Sequence, residues 1–169
     1  MIRRWLVSIL VCCTVPGCLE TPSFDDEPTL TFVRFSPQTD GTALLELGFT
    51  DGDGNVGLNG NGDTNAPFYT DTDENGEPIK VHYNLLGRFE QRINGLWQEP
   101  ELALPFAYQI PKVEPTGSSP SQNGTIEVEL TTWRLFGSPA DSVRFGWILW
   151  DRDLNPSNEA STGPIAVPD

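Results

Sequence analysis

From residue 28 onward, apolar and polar residues alternate in short runs broken by Pro, Gly and Asn, and no stretch keeps an apolar period of 3.6 over three turns. A period of two marks a half-buried strand, because successive side chains point to opposite faces of a sheet. Leu30 to Phe35 is rich in β-branched and aromatic residues and reads as strand A (30–35). Leu45, Leu47 and Phe49 alternate with Glu46 and Gly48, giving strand B (43–50). Val81, Tyr83, Leu85 and Phe89 mark a longer strand C (79–92) that reaches Asn94-Gly95, a two-residue hairpin signal leading into C′ (96–98). Phe106 to Ile110, between Pro105 and Pro111, reads as a short edge strand. Ile126, Val128 and Leu130 alternate with Glu127, Glu129 and Thr131, so strand E is either 106–110 or 125–132. Val143, Phe145, Trp147 and Leu149 form F (142–150), and 160–167 supplies G. Seven or eight strands in about 140 residues predict an all-β fold, an antiparallel immunoglobulin-like β-sandwich with a small barrel or jelly roll as the alternative. Trp133, Trp147 and Trp150 are expected as core and rim aromatics.

Between strands B and C the pattern stops. Residues 51–78 form a long acidic B–C loop of 28 residues, far longer than the usual connection in a compact domain. The loop carries D-x-D-x-N twice, as Asp51, Asp53, Asn55 and as Asp71, Asp73, Asn75; a third copy, Asp151, Asp153, Asn155, follows strand F. Alternate residues in a tight turn can aim three side-chain oxygens at one point, and calcium takes 6–8 oxygens from carboxylates, amides, carbonyls and water. Interspersed glycines let the backbone curl so that carbonyls join them. These are not EF-hands: Val56 and Gly62 stand where that motif needs glycine and glutamate, and the second copy reaches His82 at its twelfth position. In an immunoglobulin-like sandwich the B–C and F–G loops emerge at the same end, which would gather all three triplets at one pole with Asp63, Glu77 and Asn158 nearby. From Phe49 to Ile79 there are seven acidic residues and no Lys or Arg, with Arg152 the nearby cation. A bound divalent ion would offset the repulsion of close carboxylates, roughly 1 kcal/mol or more per pair. The competing reading is that Asp and Asn merely cap their own turns, as they often do. Zinc is disfavoured, since beyond the N-terminal cysteines the chain offers one histidine, His82.

The N-terminus changes the address. Arg3 and Arg4 precede an apolar run of 11 residues, Trp5 to Val15, too short for a span of roughly 20 and ending in small residues. Residues 1–17 therefore read as a signal peptide. All three cysteines (Cys12, Cys13, Cys18) lie in or beside it, so the domain at 29–169 is expected to fold without disulfides. Residues 18–28 are polar, acidic and proline-containing, an expected flexible tether. The formal charge is −14, and without Arg3 and Arg4 eight basic against 24 acidic residues leave −16. That charge disfavours nucleic acid and anionic lipid and favours cations.

Val15-Pro-Gly-Cys18 resembles a bacterial lipobox, with Cys18 the lipidated residue. Together with Phe49 to Gly57 and Ser142 to Asn158, it makes the chain similar to uncharacterised Gram-negative outer-membrane lipoproteins carrying an immunoglobulin-like (fibronectin type III-like) domain. The resemblance implies a fold and an address: a cell-envelope protein held to the outer membrane by its N-terminal lipid. It implies no activity. The expected role is a non-catalytic, calcium-stabilised module for structure or interaction, its partner an envelope protein or a glycan. The alternatives are a carbohydrate-binding module of a glycan-uptake system, using Trp97 or Trp150, and a calcium-independent spacer. An enzyme is not expected: no G-x-S-x-G elbow or phosphate loop is present, and Glu127 and Glu129 fall on an open sheet face.

Overall fold

The computed structural model describes residues 23–59, 68–72, 75, 78–112 and 119–168; the expected signal peptide and Cys18 lie outside the described residues. The strands are β1 (Thr29–Pro37), β2 (Ala43–Asp51), β3 (Phe68–Thr72), β4 (Pro78–His82), β5 (Leu85–Ile93), β6 (Leu96–Gln98), β7 (Phe106–Tyr108), β8 (Gln122–Leu130), β9 (Ser142–Leu149), β10 (Ala160–Ser161) and β11 (Ile165–Ala166). The fold is all-β, and every pairing between these strands is antiparallel. One sheet runs β1-β2-β8, and the other runs β10-β9-β5-β6, with β11 also on β9 and β7 also on β5. This is the A-B-E over G-F-C-C′ order of an immunoglobulin-like sandwich, not a closed barrel.

The inner faces follow the alternation. Leu45 and Leu47 from β2, Ile126 and Val128 from β8, Leu85 and Phe89 from β5, and Phe145, Trp147 and Leu149 from β9 form one buried cluster. Strand β1 changes phase through a bulge between Phe32 and Arg34. Phe32 and Phe35, of opposite parity, therefore both reach the core, while Val33 is turned out to solvent. Trp133 packs edge-on against Phe35, whose ring stacks on Phe145 at 5.8 Å. Asn94 and Gly95 both take positive φ (53° and 81°), as a two-residue hairpin between right-twisted strands requires.

One open choice is settled and three expectations need correction. Strand E is β8, and 106–110 instead supplies β7 on the same edge of β5 as β6. Strand C is broken at Tyr83–Asn84: β5 joins the sandwich, whereas β4 pairs with β3 in a separate two-stranded sheet. The break is held by Asn84, fully buried, whose N–H donates to Tyr108 O and whose Oδ1 accepts from Ile110 N at 2.7 Å. The B–C connection is consequently not 28 residues of loop, since it contains the β3–β4 hairpin. Strand G is two short pieces, because Pro164 has no N–H to give to the ladder and Gly163 turns through φ 67°.

Candidate metal centre

Two loops are stitched together at one end of the sandwich. Asp51 ends β2, and Asp151 follows β9 by two residues; Val56 and Asp151 form an antiparallel bridge, and Arg152 N–H donates to Asn55 O. Val56 and Leu58 are buried, and Leu58 exchanges backbone hydrogen bonds with Ile110 and Lys112 at 2.9 and 3.0 Å. Residues 51–58 are thus pinned on both sides. Gly54 sits at φ 71° against Pro120, where an added Cβ would lie 2.0 Å from the carbonyl oxygen, so only glycine lets the turn close there.

This stitching brings the first and third triplets together. Asp51 Oδ2 accepts hydrogen bonds from Asn55 N (2.7 Å) and Val56 N (3.3 Å). The Asn55 side-chain amide lies between two carboxylates, donating to Asp53 Oδ2 at 2.9 Å and Asp153 Oδ2 at 3.1 Å. Across the pole, Asp151 Oδ1 accepts from Asn155 N and its Oδ2 from Asn155 Nδ2 (2.7 and 2.8 Å). Asp151 and Asn155 therefore satisfy each other and hold the F–G turn, in which Leu154 takes φ 68°. The third triplet sends only Asp153 across to the first.

Arg152 folds back into the B–C turn. Its Nη1 donates to Gly57 O at 2.9 Å, with Val56 O and Gly54 O at 3.5 Å from Nη1 and Nη2. The glycine-rich backbone does curl its carbonyls around a cation, but that cation is a guanidinium. An ion at this pole would have to rely on side-chain oxygens and water.

The side-chain balance is incomplete in two places. Asp51 is fully buried and its Oδ1 has no hydrogen-bond partner; Asn55 is 8% exposed and its Oδ1 also has none. Unpaired buried oxygens of this kind are uncommon in folded proteins and cost about 1–3 kcal/mol each. Burial, with the nearby charges of Asp53 and Asp151, pushes the Asp51 carboxyl up from 3.8 to about 6, against the two N–H donors that favour its charged form. Asp53 is likewise raised, by burial first and then by the charges of Asp151, Asp26 and Asp153. Among the described residues, no three Asp, Glu, His or Cys side chains are grouped so as to hold an ion by themselves; the Asn55 amide oxygen is the remaining buried donor.

The second triplet belongs to the β3–β4 hairpin. Asp71 is on β3, paired with Ile79; Asn75 is an exposed turn residue of that hairpin, and Asp73 lies outside the described residues. Asp63 and Glu77 also lie outside them, and His82 ends β4. Asn158, expected as a further oxygen, clamps β1 instead: its Oδ1 accepts from Leu30 N (3.0 Å) and its Nδ2 donates to Leu30 O (2.9 Å). Trp133 and Trp147 are buried, Trp150 is half-buried, and Trp97 lies beneath the Arg144 guanidinium at 4.4 Å.

Sequence reasoning missed three contributors. Val56 and Leu58 alternate as a buried pair would, a signal hidden by the surrounding Gly and Asn. Ser121 Oγ donates to Gly52 O at 3.1 Å from a segment without any pattern. Phe24 to Pro28, expected as the end of a free tether, packs against the pole: Gly52 N–H donates to Asp25 O at 2.8 Å and Pro28 is buried.

No protein-family model matches the chain, and no curated protein or solved structure matches it either.

Proposed function

We propose that this chain is an exported, lipid-anchored envelope protein whose non-catalytic β-sandwich is stabilised by calcium at the pole formed by Asp51, Asp53, Asn55 and Asp153. Cys18 carries the lipid and holds the domain to the outer membrane, where the pole serves structure or interaction with an envelope partner. The observation that carries the metal reading is the pair of buried, unpartnered oxygens, Asp51 Oδ1 and Asn55 Oδ1, in a site already rich in negative charge. Carboxylate and amide oxygens are the donors that a hard cation such as calcium selects. The lipidation reading rests on Val15-Pro-Gly-Cys18.

The test is thermal unfolding of the purified protein in EDTA, then in about 10 mM calcium, with magnesium as control and elemental analysis to exclude carried-over metal. A site with a dissociation constant of roughly 0.1–1 mM adds about 1.4–2.7 kcal/mol at that concentration. That is roughly 3–10 °C in the midpoint. A metal-free protein that melts cooperatively at the same temperature with and without calcium refutes the metal reading. Mass spectrometry of the membrane-associated protein, with Cys18→Ala as the comparison, tests the anchor separately.

A further inference from the structure

We infer that the N-terminal segment Phe24–Glu27 is part of the cation site, so that calcium at the pole clamps the linker between membrane anchor and domain. The inference rests on the calcium reading above and adds a consequence: the domain's orientation on its anchor depends on calcium.

The contact is built into the backbone. Gly52, between the two carboxylates of the first triplet, lies flush against the segment, and its N–H holds Asp25 O at 2.8 Å. A Cβ at Gly52 would stand 2.4 Å from Phe24 O and 2.8 Å from Asp25 C and O. Gly52 is absent from the glycines with positive φ, so it is required here for space and not for backbone conformation. On the other side, the Gly52 carbonyl accepts the Ser121 hydroxyl, which fixes the peptide.

The segment adds charge to a site already short of compensation. Asp25, Asp26 and Glu27 line a groove of about 490 Å³ with Pro156 and Asn158, which follow the third triplet on the F–G connection. Asp26 follows directly on the residue whose carbonyl Gly52 holds, and Asp53 follows directly on Gly52. Without an ion, docking this acidic segment beside Asp53 is electrostatically unfavourable; with a divalent ion the same carboxylates attract a shared charge. The independent sign of a missing ligand is again the Asn55 amide, more than nine-tenths buried between Asp53 and Asp153, with its Oδ1 unpartnered. Ion binding and linker docking therefore reinforce one another, and by linkage each strengthens the other equally.

Calcium titration by calorimetry on the wild type, Asp26→Asn and Gly52→Ala tests this, with Glu129→Gln as a control that removes one exposed charge from the outer face of β8. Hydrogen exchange of the Gly52 amide is followed by NMR with and without calcium. The expected result is a weakening of roughly fivefold or more for Asp26→Asn and for Gly52→Ala, none for Glu129→Gln, and slower Gly52 exchange in calcium. If the wild type binds calcium but Asp26→Asn binds equally well and Gly52 exchange is unmoved, the linker is independent of the ion and the inference is overturned. If the wild type takes up no calcium, the proposed function falls and the inference with it.

Discussion

Asp51→Asn keeps the shape of the pole and removes its least compensated charge. An asparagine Oδ1 can still accept the Asn55 and Val56 N–H groups that now reach Asp51 Oδ2, and its Nδ2 takes the place of the unpartnered Oδ1. The magnitude follows from the carboxyl's displacement from 3.8 to about 6, caused first by burial and then by Asp53 and Asp151. That displacement is worth ~3 kcal/mol, reduced to about 1–2 kcal/mol because Asp53, at the rim, is screened by water. Because the folded-state value is the higher one, the folded protein holds this proton more tightly than the unfolded chain. The resulting stability is complete below pH 3.8 and is lost as the pH rises through about 6. Glu90 acts in the opposite direction, since the Arg144 hydrogen bonds hold it below its ordinary 4.5, but it titrates under this window. In EDTA, wild-type stability measured by urea unfolding should fall by about 0.5–1 kcal/mol between pH 5 and pH 7.5, the part of the effect that lies above pH 5, and Asp51→Asn should remove most of that fall, the raised Asp53 supplying the rest. At pH 7.5 the variant should melt about 3–10 °C above the metal-free wild type and show no response to calcium. A variant less stable than wild type in EDTA, or a wild type whose stability is flat from pH 5 to 7.5, would show that Asp51 is fully compensated and that the case for a missing cation is wrong.

Two further substitutions probe how the pole is held. Asn158→Ala removes both hydrogen bonds to the Leu30 backbone and leaves a part-buried amide and carbonyl of β1 without them, so chemical denaturation should show a loss of about 1–3 kcal/mol in both EDTA and calcium. Arg152→Met releases the Gly54, Val56 and Gly57 carbonyls, and amide exchange at residues 52–58 should accelerate while the β5–β9 core stays protected.

The sandwich was legible because its strands are half-buried, so burial writes itself as alternation; β2, β8 and β9 fall where period two places them. What the pattern missed were choices of partner. One apolar phase runs from Val81 through Tyr83 and Leu85 to Phe89, yet β4 pairs with β3 and β5 with β9, and only the buried amide of Asn84 marks the division. Segment 106–110 has strand composition whichever sheet it joins. At the pole, the spacing of the triplets announced carboxylates in tight turns but could not tell a ligand from a cap. Asp151 proved to be capped by Asn155, and Asp51 only half-capped by Asn55 and Val56. The carbonyls expected for a metal are taken by Arg152, whose five donors suit several carbonyls at once. The docked residues Phe24 to Pro28 carry no periodicity, and their place depends on Gly52, a glycine that sequence alone reads as one more turn residue.

The chain's acidity has two physically different parts. Glu127 and Glu129 stand exposed on the outer face of β8, where a carboxylate is solvated and costs the fold little. Asp51 and Asp151 are fully buried, where an ionised carboxylate is tolerated only with compensation. Asp151 has it, with Asn155 serving both oxygens. Asp51 has it on one oxygen only, and the Asn55 amide that parts Asp53 from Asp153 spends both its donors on them and leaves its own oxygen bare. Buried water could donate to the bare oxygens, since such waters commonly serve unsatisfied groups. It would satisfy the hydrogen bonds and leave the charge, so stability would still fall with pH across about 6 and calcium would leave it unchanged. A cation satisfies the oxygens and the charge together, which removes the pH dependence whenever the ion is bound. The slope of stability against pH, measured in EDTA and again in calcium, therefore separates a hydrated pole from a metal site: a slope that persists in calcium means water, and one that vanishes means the ion.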